Sequence, residues 1–200
     1  MNALPSAARP RSEFNDRLLL QRIVQGDRQA FEELYVNYHR RLARFLMRLA
    51  PRYELAEEII NDTFWIVWQK AGQFRGASQV STWIMGIAYR RALKLLKSER
   101  CHQATEQLDC LDRELMEDEP AKAKETQDWI AEGLRELPLE QRMAIELAYG
   151  MGYSLEEIAD IMNCQISTVK ARMYHAREKL RHSLPRLGGL QGDEISGAEL

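Results

Sequence analysis

The chain has 200 residues, 45% apolar and 29% charged, with 28 Lys and Arg against 30 Asp and Glu and a formal net charge of -2. That is the make-up of a folded globular protein with room for one large or two small domains. No run approaches the roughly 18–20 apolar residues of a membrane span, and residues 1–14 lack the apolar core of a signal peptide, which places the chain in the cytoplasm without membrane insertion.

Six prolines and eleven glycines, set among long runs of Leu, Ala, Glu, Arg and Gln, favour helix nearly everywhere. The expected fold is all-α: two small helical domains, each with a modest core, joined by a flexible acidic linker. Residues 1–14 read as a disordered N-terminus. Helices follow over 16–24 and 28–49, broken at Gly26-Asp27, with Phe31, Leu34, Tyr35, Tyr38, Leu42, Phe45, Leu46 and Leu49 at helical spacing. Pro51 ends that hairpin. A third helix over 54–70, a loop over 73–81 and a fourth helix over 82–99 complete a first domain at 15–100. Residues 101–127 lack a sustained apolar stripe and contain Pro120, as a linker does. The second domain, 128–184, has Pro138 at the first position of a helix, Gly150 and Gly152 closing it, and a capping box formed by Ser154 and Glu157. Residues 185–200 read as a disordered tail.

The small net charge conceals a segregation. Arg75, Arg90, Arg91, Lys94, Lys97 and Arg100 cluster in the first domain, and Lys170, Arg172, Arg177, Lys179, Arg181 and Arg186 in the second. Between them lie Glu106, Asp109, Asp112, Glu114, Glu117, Asp118, Glu119, Glu125 and Asp128. Two basic patches flanking an acidic connector say more about partners than the total does.

Residues 154–181 carry a helix-turn-helix pattern. A short amphipathic helix with Leu155, Ile158 and Met162 on one side ends at Asn163, a residue that tolerates left-handed backbone. Ser167 or Thr168 is placed to cap the next helix. There Val169, Met173, Ala176 and Leu180 form a core stripe, leaving Ser167, Lys170, Ala171, Tyr174 and His175 facing a major groove. Arg172 and Arg177 lie to the sides, where phosphates are nearer. An ordinary helical hairpin with solvated basic residues is the alternative.

In the first domain the third helix turns Leu55, Ile59, Ile60, Thr63, Ile66 and Val67 inward, and Glu57, Glu58, Asn61, Asp62, Trp65 and Gln69 outward. An exposed aromatic amid charges suits a protein partner. Phe64 and Trp68 read as core. On the fourth helix Trp83, Tyr89, Arg90, Lys94 and Lys97 interleave rings with cations, an arrangement suited to single-stranded DNA. Trp83 fits a core position equally well. Metal sites are poorly supported: Glu57, Glu58 and Asp62 share one helix face without a second ligand cluster, and Cys101, His102 and Cys110 match no standard zinc spacing. The three cysteines form no CxxC pair and, being odd in number, no disulfide framework. No metal or other cofactor is expected.

Several runs resemble a known family. Leu137-Pro138-Leu139-Glu140-Gln141-Arg142, Tyr153-Ser154-Leu155-Glu156-Glu157-Ile158-Ala159, Ser167-Thr168-Val169-Lys170-Ala171-Arg172 and Ala176-Arg177-Glu178-Lys179-Leu180 resemble region 4 of the extracytoplasmic-function (ECF) group of sigma-70-family factors. Gly26-Asp27-Arg28-Gln29-Ala30-Phe31-Glu32-Glu33-Leu34-Tyr35, Ala56-Glu57-Glu58-Ile59-Ile60-Asn61-Asp62-Thr63-Phe64, and Phe74-Arg75-Gly76 with Ser81-Thr82-Trp83-Ile84 resemble region 2. The resemblance implies a non-catalytic subunit that binds core RNA polymerase and directs it to promoters.

Region 4 would read the -35 element through Ser167, Thr168, Lys170, Ala171, Arg172, Tyr174, His175 and Arg177. Region 2 would melt and capture the -10 element through Arg75, Ser78, Trp83, Tyr89, Arg90, Lys94 and Lys97, with the loop over 75–81 holding a flipped base. Glu57, Glu58, Asn61, Asp62, Trp65 and Gln69 would dock on the clamp helices of the largest polymerase subunit, and region 4 would meet the flap region. The connector would thread the RNA-exit path, and an anti-sigma factor would cover both regions.

Arg90 stands where the family usually has Asn, Lys94 where it often has Asp, His175 where Arg is common and Ala171 where Ser is. Neutral histidine cannot supply arginine's two-pronged contact to guanine, so a divergent -35 preference is expected. The competing reading is a stand-alone helix-turn-helix regulator. A nuclease or other enzyme lacks support, since no nucleotide-binding glycine loop or convergent catalytic cluster is present.

Overall fold

A computed structural model describes residues 10–109 and 125–187, and all regular structure among them is helical. The first unit comprises α1 (Pro10–Val24), α2 (Arg28–Leu49), α3 (Tyr53–Lys70) and α4 (Val80–Asp109), with a 3-10 turn at Ala71–Gln73. The second comprises α5 (Glu125–Arg135), α6 (Leu139–Ile145), α7 (Leu155–Met162) and α8 (Ile166–Leu187). After α6 the chain widens into a π-helical turn, Glu146–Gly150.

Local chemistry explains most boundaries. Asp27 caps α2, its carboxylate accepting the N–H groups of Gln29 and Ala30 at 2.9 and 3.1 Å. Those bonds, Ala30's foremost, and the neighbouring Arg22 hold its carboxyl below the usual range. Gly26, at φ +83°, supplies the left-handed turn between α1 and α2. The box before α7 is complete: Ser154 Oγ accepts the Glu157 N–H at 3.2 Å, and Glu157 Oε2 accepts the Ser154 N–H at 2.8 Å. Asn163 ends α7 in the left-handed region at φ 49°.

Several expectations are corrected. The first helix starts at Pro10 rather than residue 16; proline is at home there, since its missing N–H would have no partner anyway. The fourth helix runs on to Asp109, because residues 99–109 contain no glycine or proline to stop it, and α5 starts at Glu125. α8 continues through Pro185 to Leu187, three residues past the expected domain end at 184. Pro138 precedes its helix instead of opening it, its carbonyl accepting from Gln141 and Arg142. Neither Ser167 nor Thr168 caps α8. The helix begins a residue earlier, and the Gln165 carbonyl takes the N–H groups of Thr168 and Val169. The possible cysteine and histidine ligand set lies outside the residues whose side chains are described.

The larger correction concerns packing. A single apolar cluster runs from Leu19 through Phe45, Ile60 and Ile84 of the first unit into Met143, Leu147, Ile158 and Ile161 of the second. α7 lies against α4, and the π turn against α2. At the contact, a Cβ added to Gly86 of α4 would sit 3.6 Å from the Ile161 carbonyl oxygen and 3.7 Å from its Cα. The two helices thus meet backbone to backbone. On the flank, Tyr153 donates its hydroxyl to the Ser81 carbonyl at 3.4 Å, and the Arg41 guanidinium lies 4.8 Å from the Tyr153 ring centre.

Ser154→Ala removes one half of the capping box and should lower stability by about 1 kcal/mol in urea titration. Asn163→Val should cost more than Asn163→Gly in the same titration, because a β-branched residue is strained at positive φ.

Candidate nucleic-acid interface

α7, the Asn163 turn and α8 form a helix-turn-helix. The outer face of α8 presents Ser167, Lys170, Ala171, Tyr174 and His175 to solvent, with the Tyr174 and His175 rings edge to face at 5.5 Å. Val169, Met173 and Ala176 are buried on the opposite face. Thr168 is half-buried. Arg172 departs from its expected lateral position: it turns back toward Glu140 of α6, with Nη1 3.6 Å from Cys164 Sγ and 4.0 Å from Met162 Sδ. Arg177 is exposed and donates from Nε to the Met173 carbonyl at 3.3 Å.

α3 separates its two faces largely as its sequence suggests. Leu55, Ile59, Ile60, Thr63, Phe64 and Val67 are buried, Ile66 and Trp68 half-buried, and Trp65 is 59% exposed. Glu58, Asn61 and Gln69 face solvent. The other two carboxylates already have partners: Glu57 meets His39 Nε2 at 3.0 Å, and Asp62 meets Arg91 at 2.8 Å. Trp65, Glu58 and Gln69 are therefore the freer part of this face, while Asn61 Oδ1 accepts the Tyr35 hydroxyl at 3.4 Å.

The residues placed together by the sequence on α4 do not share one fate. Arg90, Lys94 and Lys97 are exposed, and Trp83 is half-buried with its ring 5.3 Å from Phe74. Tyr89 is buried at 3% exposure, and burial pushes its hydroxyl pKa up to about 12. It cannot stack on a base in this conformation. Arg90 is partly desolvated, which draws its pKa down. Arg75 is exposed at the rim of a cleft of about 400 Å³, lined also by Arg17, Gln21 and Phe74. Ser78 is instead on another side of the loop, in a cleft of about 460 Å³ between it and the helix-turn-helix turn, lined by Ala159, Asn163 and Gln165.

The Sigma-70 region 2 family model matches residues 34–101, and the Sigma-70, region 4 model matches residues 127–180. Over 186 residues the chain is 28% identical to the ECF RNA polymerase sigma-E factor of Escherichia coli (strain K12), covering 88% of this chain and 97% of that one. The chain belongs to the ECF group of the sigma-70 family. It is an RNA polymerase sigma factor, a regulatory subunit that directs promoter-specific initiation. The RNA polymerase sigma-H factor of Pseudomonas aeruginosa is 27% identical over 187 residues, with the same coverage of both chains.

Among solved structures, CnrH in complex with the cytosolic domain of CnrY has the same fold, with a TM-score of 0.64 at 20% identity over 86% of this chain and 98% of that one. The sigma factor RpoE of Bartonella quintana, in complex with the anti-sigma factor NepR, gives 0.59 at 26% identity over 77% and 96%. The family decides against the stand-alone regulator. No described helix of this sigma factor is long and apolar enough to cross a membrane.

Polar bridges also join regions 2 and 4, a feature that no local pattern of the chain announces. Glu140 of region 4 takes Lys97 of region 2 at 2.8 Å while also pairing with Arg172. Glu146, 5% exposed, is held by Arg48 of region 2 at 3.1 Å. The Lys97 hydrogen bond above all, with the Arg172 charge, keeps the Glu140 carboxyl below its usual 4.5. A lowered pKa stabilises the folded state above the usual value, and that contribution is lost as pH falls through the lowered one. Glu140→Gln should therefore cost stability that is constant above about pH 5 and shrinks below about pH 4, measured by denaturant titration at each pH.

Proposed function

We propose that this sigma factor binds core RNA polymerase through α3 and reads promoter DNA with two separate surfaces, acting as a non-catalytic subunit. Trp65 is the anchor of the docking face, with Glu58, Asn61 and Gln69 around it. The observation that carries this assignment is a 59% exposed tryptophan on a helix whose opposite face is closed core. Large aromatics in that position are frequent energetic centres of protein interfaces. Glu57 and Asp62 contribute once His39 and Arg91 release them.

The outer face of α8 is the -35 reader. Lys170, Tyr174 and His175 reach base edges or flanking phosphates, Ser167 and Ala171 line the close approach, and Thr168 and Arg177 flank it. Arg172 joins them only when it leaves Glu140. Lys94, Arg90 and Lys97 follow the backbone of the melted -10 strand, with Arg75 and Trp83 at the base-binding loop and Tyr89 and Ser78 available after region 4 moves off. Region 4 meets the flap region of polymerase, and the factor works in the cytoplasm. An anti-sigma factor is the expected further partner, as NepR is for the Bartonella quintana factor.

In vitro transcription with core polymerase on a genomic promoter pool tests the reading. The protein should create start sites that core polymerase alone does not use. Trp65→Ala should weaken core binding by tenfold or more, about 1.4 kcal/mol or above, and leave helical content unchanged. Lys170→Ala should spare core binding and reduce the use of promoters through their -35 element. An exchange of these two phenotypes would show that the surfaces are misassigned.

A further inference from the structure

Glu13 falls among the residues whose sequence reads as a disordered N-terminus, yet its side chain is only 19% exposed. Its carboxylate oxygens Oε1 and Oε2 accept the backbone N–H of Val80 at 3.2 and 3.0 Å, and Oε1 also takes Arg17 Nε at 2.7 Å. Val80 opens α4. The first N–H groups of a helix have no partner within it, and the hydroxyls beside Val80 are turned elsewhere: Ser78 Oγ donates to the Gln79 carbonyl and Ser81 Oγ to the Gln79 side chain. An acid 67 residues upstream thus does what a local Ser or Asp does at other helix starts. Its negative charge also suits the positive end of the helix.

Arg17 continues the contact along the loop that leads into α4. Its guanidinium lies 6.0 Å from the Phe74 ring centre, and a Cβ added to Gly76, at φ +71°, would sit 3.4 Å from Arg17 Nη1. Phe74 in turn meets the ring of Trp83, on the first turn of α4, at 5.3 Å. α1 therefore touches the loop near its start, in its middle and at its end. The helix that does so is itself fixed. Leu19, Leu20 and Ile23 are buried, and the buried Asp16 accepts the Tyr38 hydroxyl of α2 at 2.5 Å.

Resting on the reading of this loop as the base-binding loop, we propose that Glu13 is a positioning residue for -10 capture: its carboxylate, steadied by Arg17, caps α4 at Val80 and sets where Arg75 and Trp83 stand when an unpaired base arrives. Residues 74–79 form no helix, so their course is set by what holds them at either end. A loop ordered before DNA arrives loses less entropy on binding it. Without the cap, the first turn of α4 frays and the loop must be ordered by the base itself. None of these contacts involves the docking face of α3.

The test uses the full chain with core polymerase on a promoter it activates, each -10 nucleotide on either strand being replaced in turn by an abasic site. With the unsubstituted protein, the captured base is the one whose removal costs most transcription. Glu13→Ala should shrink that penalty about fivefold, the weight of one helix cap, and leave core binding and the penalties at other positions as they were. Glu13→Gln keeps an acceptor oxygen for Val80 without the charge, and should shrink the same penalty about twofold. Ser154→Ala removes a cap of similar worth in region 4 and should leave the pattern of penalties unchanged.

An equal loss at every position would overturn the proposal, since Glu13 would then act on stability alone. Penalties identical to those of the unsubstituted chain would overturn it too, as would a loss in Glu13→Gln as large as in Glu13→Ala. If circular dichroism shows that Glu13→Ala does not fold, Glu13→Gln decides by the same comparison of positions. The absence of any costly -10 position with the unsubstituted protein would instead sink the base-binding reading of the loop, and this proposal with it.

Discussion

Where α4 passes α7, the atoms in contact are those of Gly86 and the backbone of Ile161. Glycine inside a helix is unfavourable by roughly 1 kcal/mol relative to alanine, so a long helix that keeps one at its closest crossing gives up local stability for proximity. That proximity lets Ile158 and Ile161 join the region 2 core instead of facing water. It also brings the edges of the two regions within reach of ion pairs. The Lys97–Glu140 and Arg48–Glu146 bridges are possible because the helices between them already touch. Partly exposed pairs contribute little on their own; here they set orientation, while apolar burial supplies the larger share of the attraction.

Much of each half was legible before any coordinates. The spacing of Leu34, Tyr38, Leu42 and Phe45 marks a buried face, and all four are buried. Ser154 and Glu157 announce a helix start, and Asn163 a helix end, through hydrogen-bond chemistry that depends only on near neighbours. Trp65 stands out as an aromatic on the wrong side of an amphipathic helix. Family motifs added what periodicity alone does not carry, namely that these helices form a polymerase subunit.

What the sequence did not disclose is long-range. Ile158 reads as core in any arrangement, but periodicity says neither which helix covers it nor that Ile161 is buried beside it. Tyr89 reads with Arg90 and Lys94 as a DNA contact because an aromatic among cations suits that task; in the fold it lies near Glu140, Cys164 and Arg172, which are far away in the chain. Arg172 reads as a lateral phosphate contact, but it turns back onto Glu140, and both side chains are left only partly exposed. One signal was available and unused. A lone glycine within an otherwise strong helical run, as Gly86 is, points to a close approach by another backbone.

The helix bounds also fix a length. Between the end of α4 at Asp109 and the start of α5 at Glu125 lie fifteen residues, so the two ends can separate by at most about 55 Å even with that stretch drawn straight. Promoter elements named for positions -35 and -10 are about 25 base pairs apart, about 85 Å along a straight duplex at 3.4 Å per step. The rigid reach of the helices must make up the difference. α4 alone is about 45 Å long for its 30 residues. The separation of the two readers thus has a hard upper limit set by chain length, so an added turn of duplex between the two elements is accommodated only up to that limit.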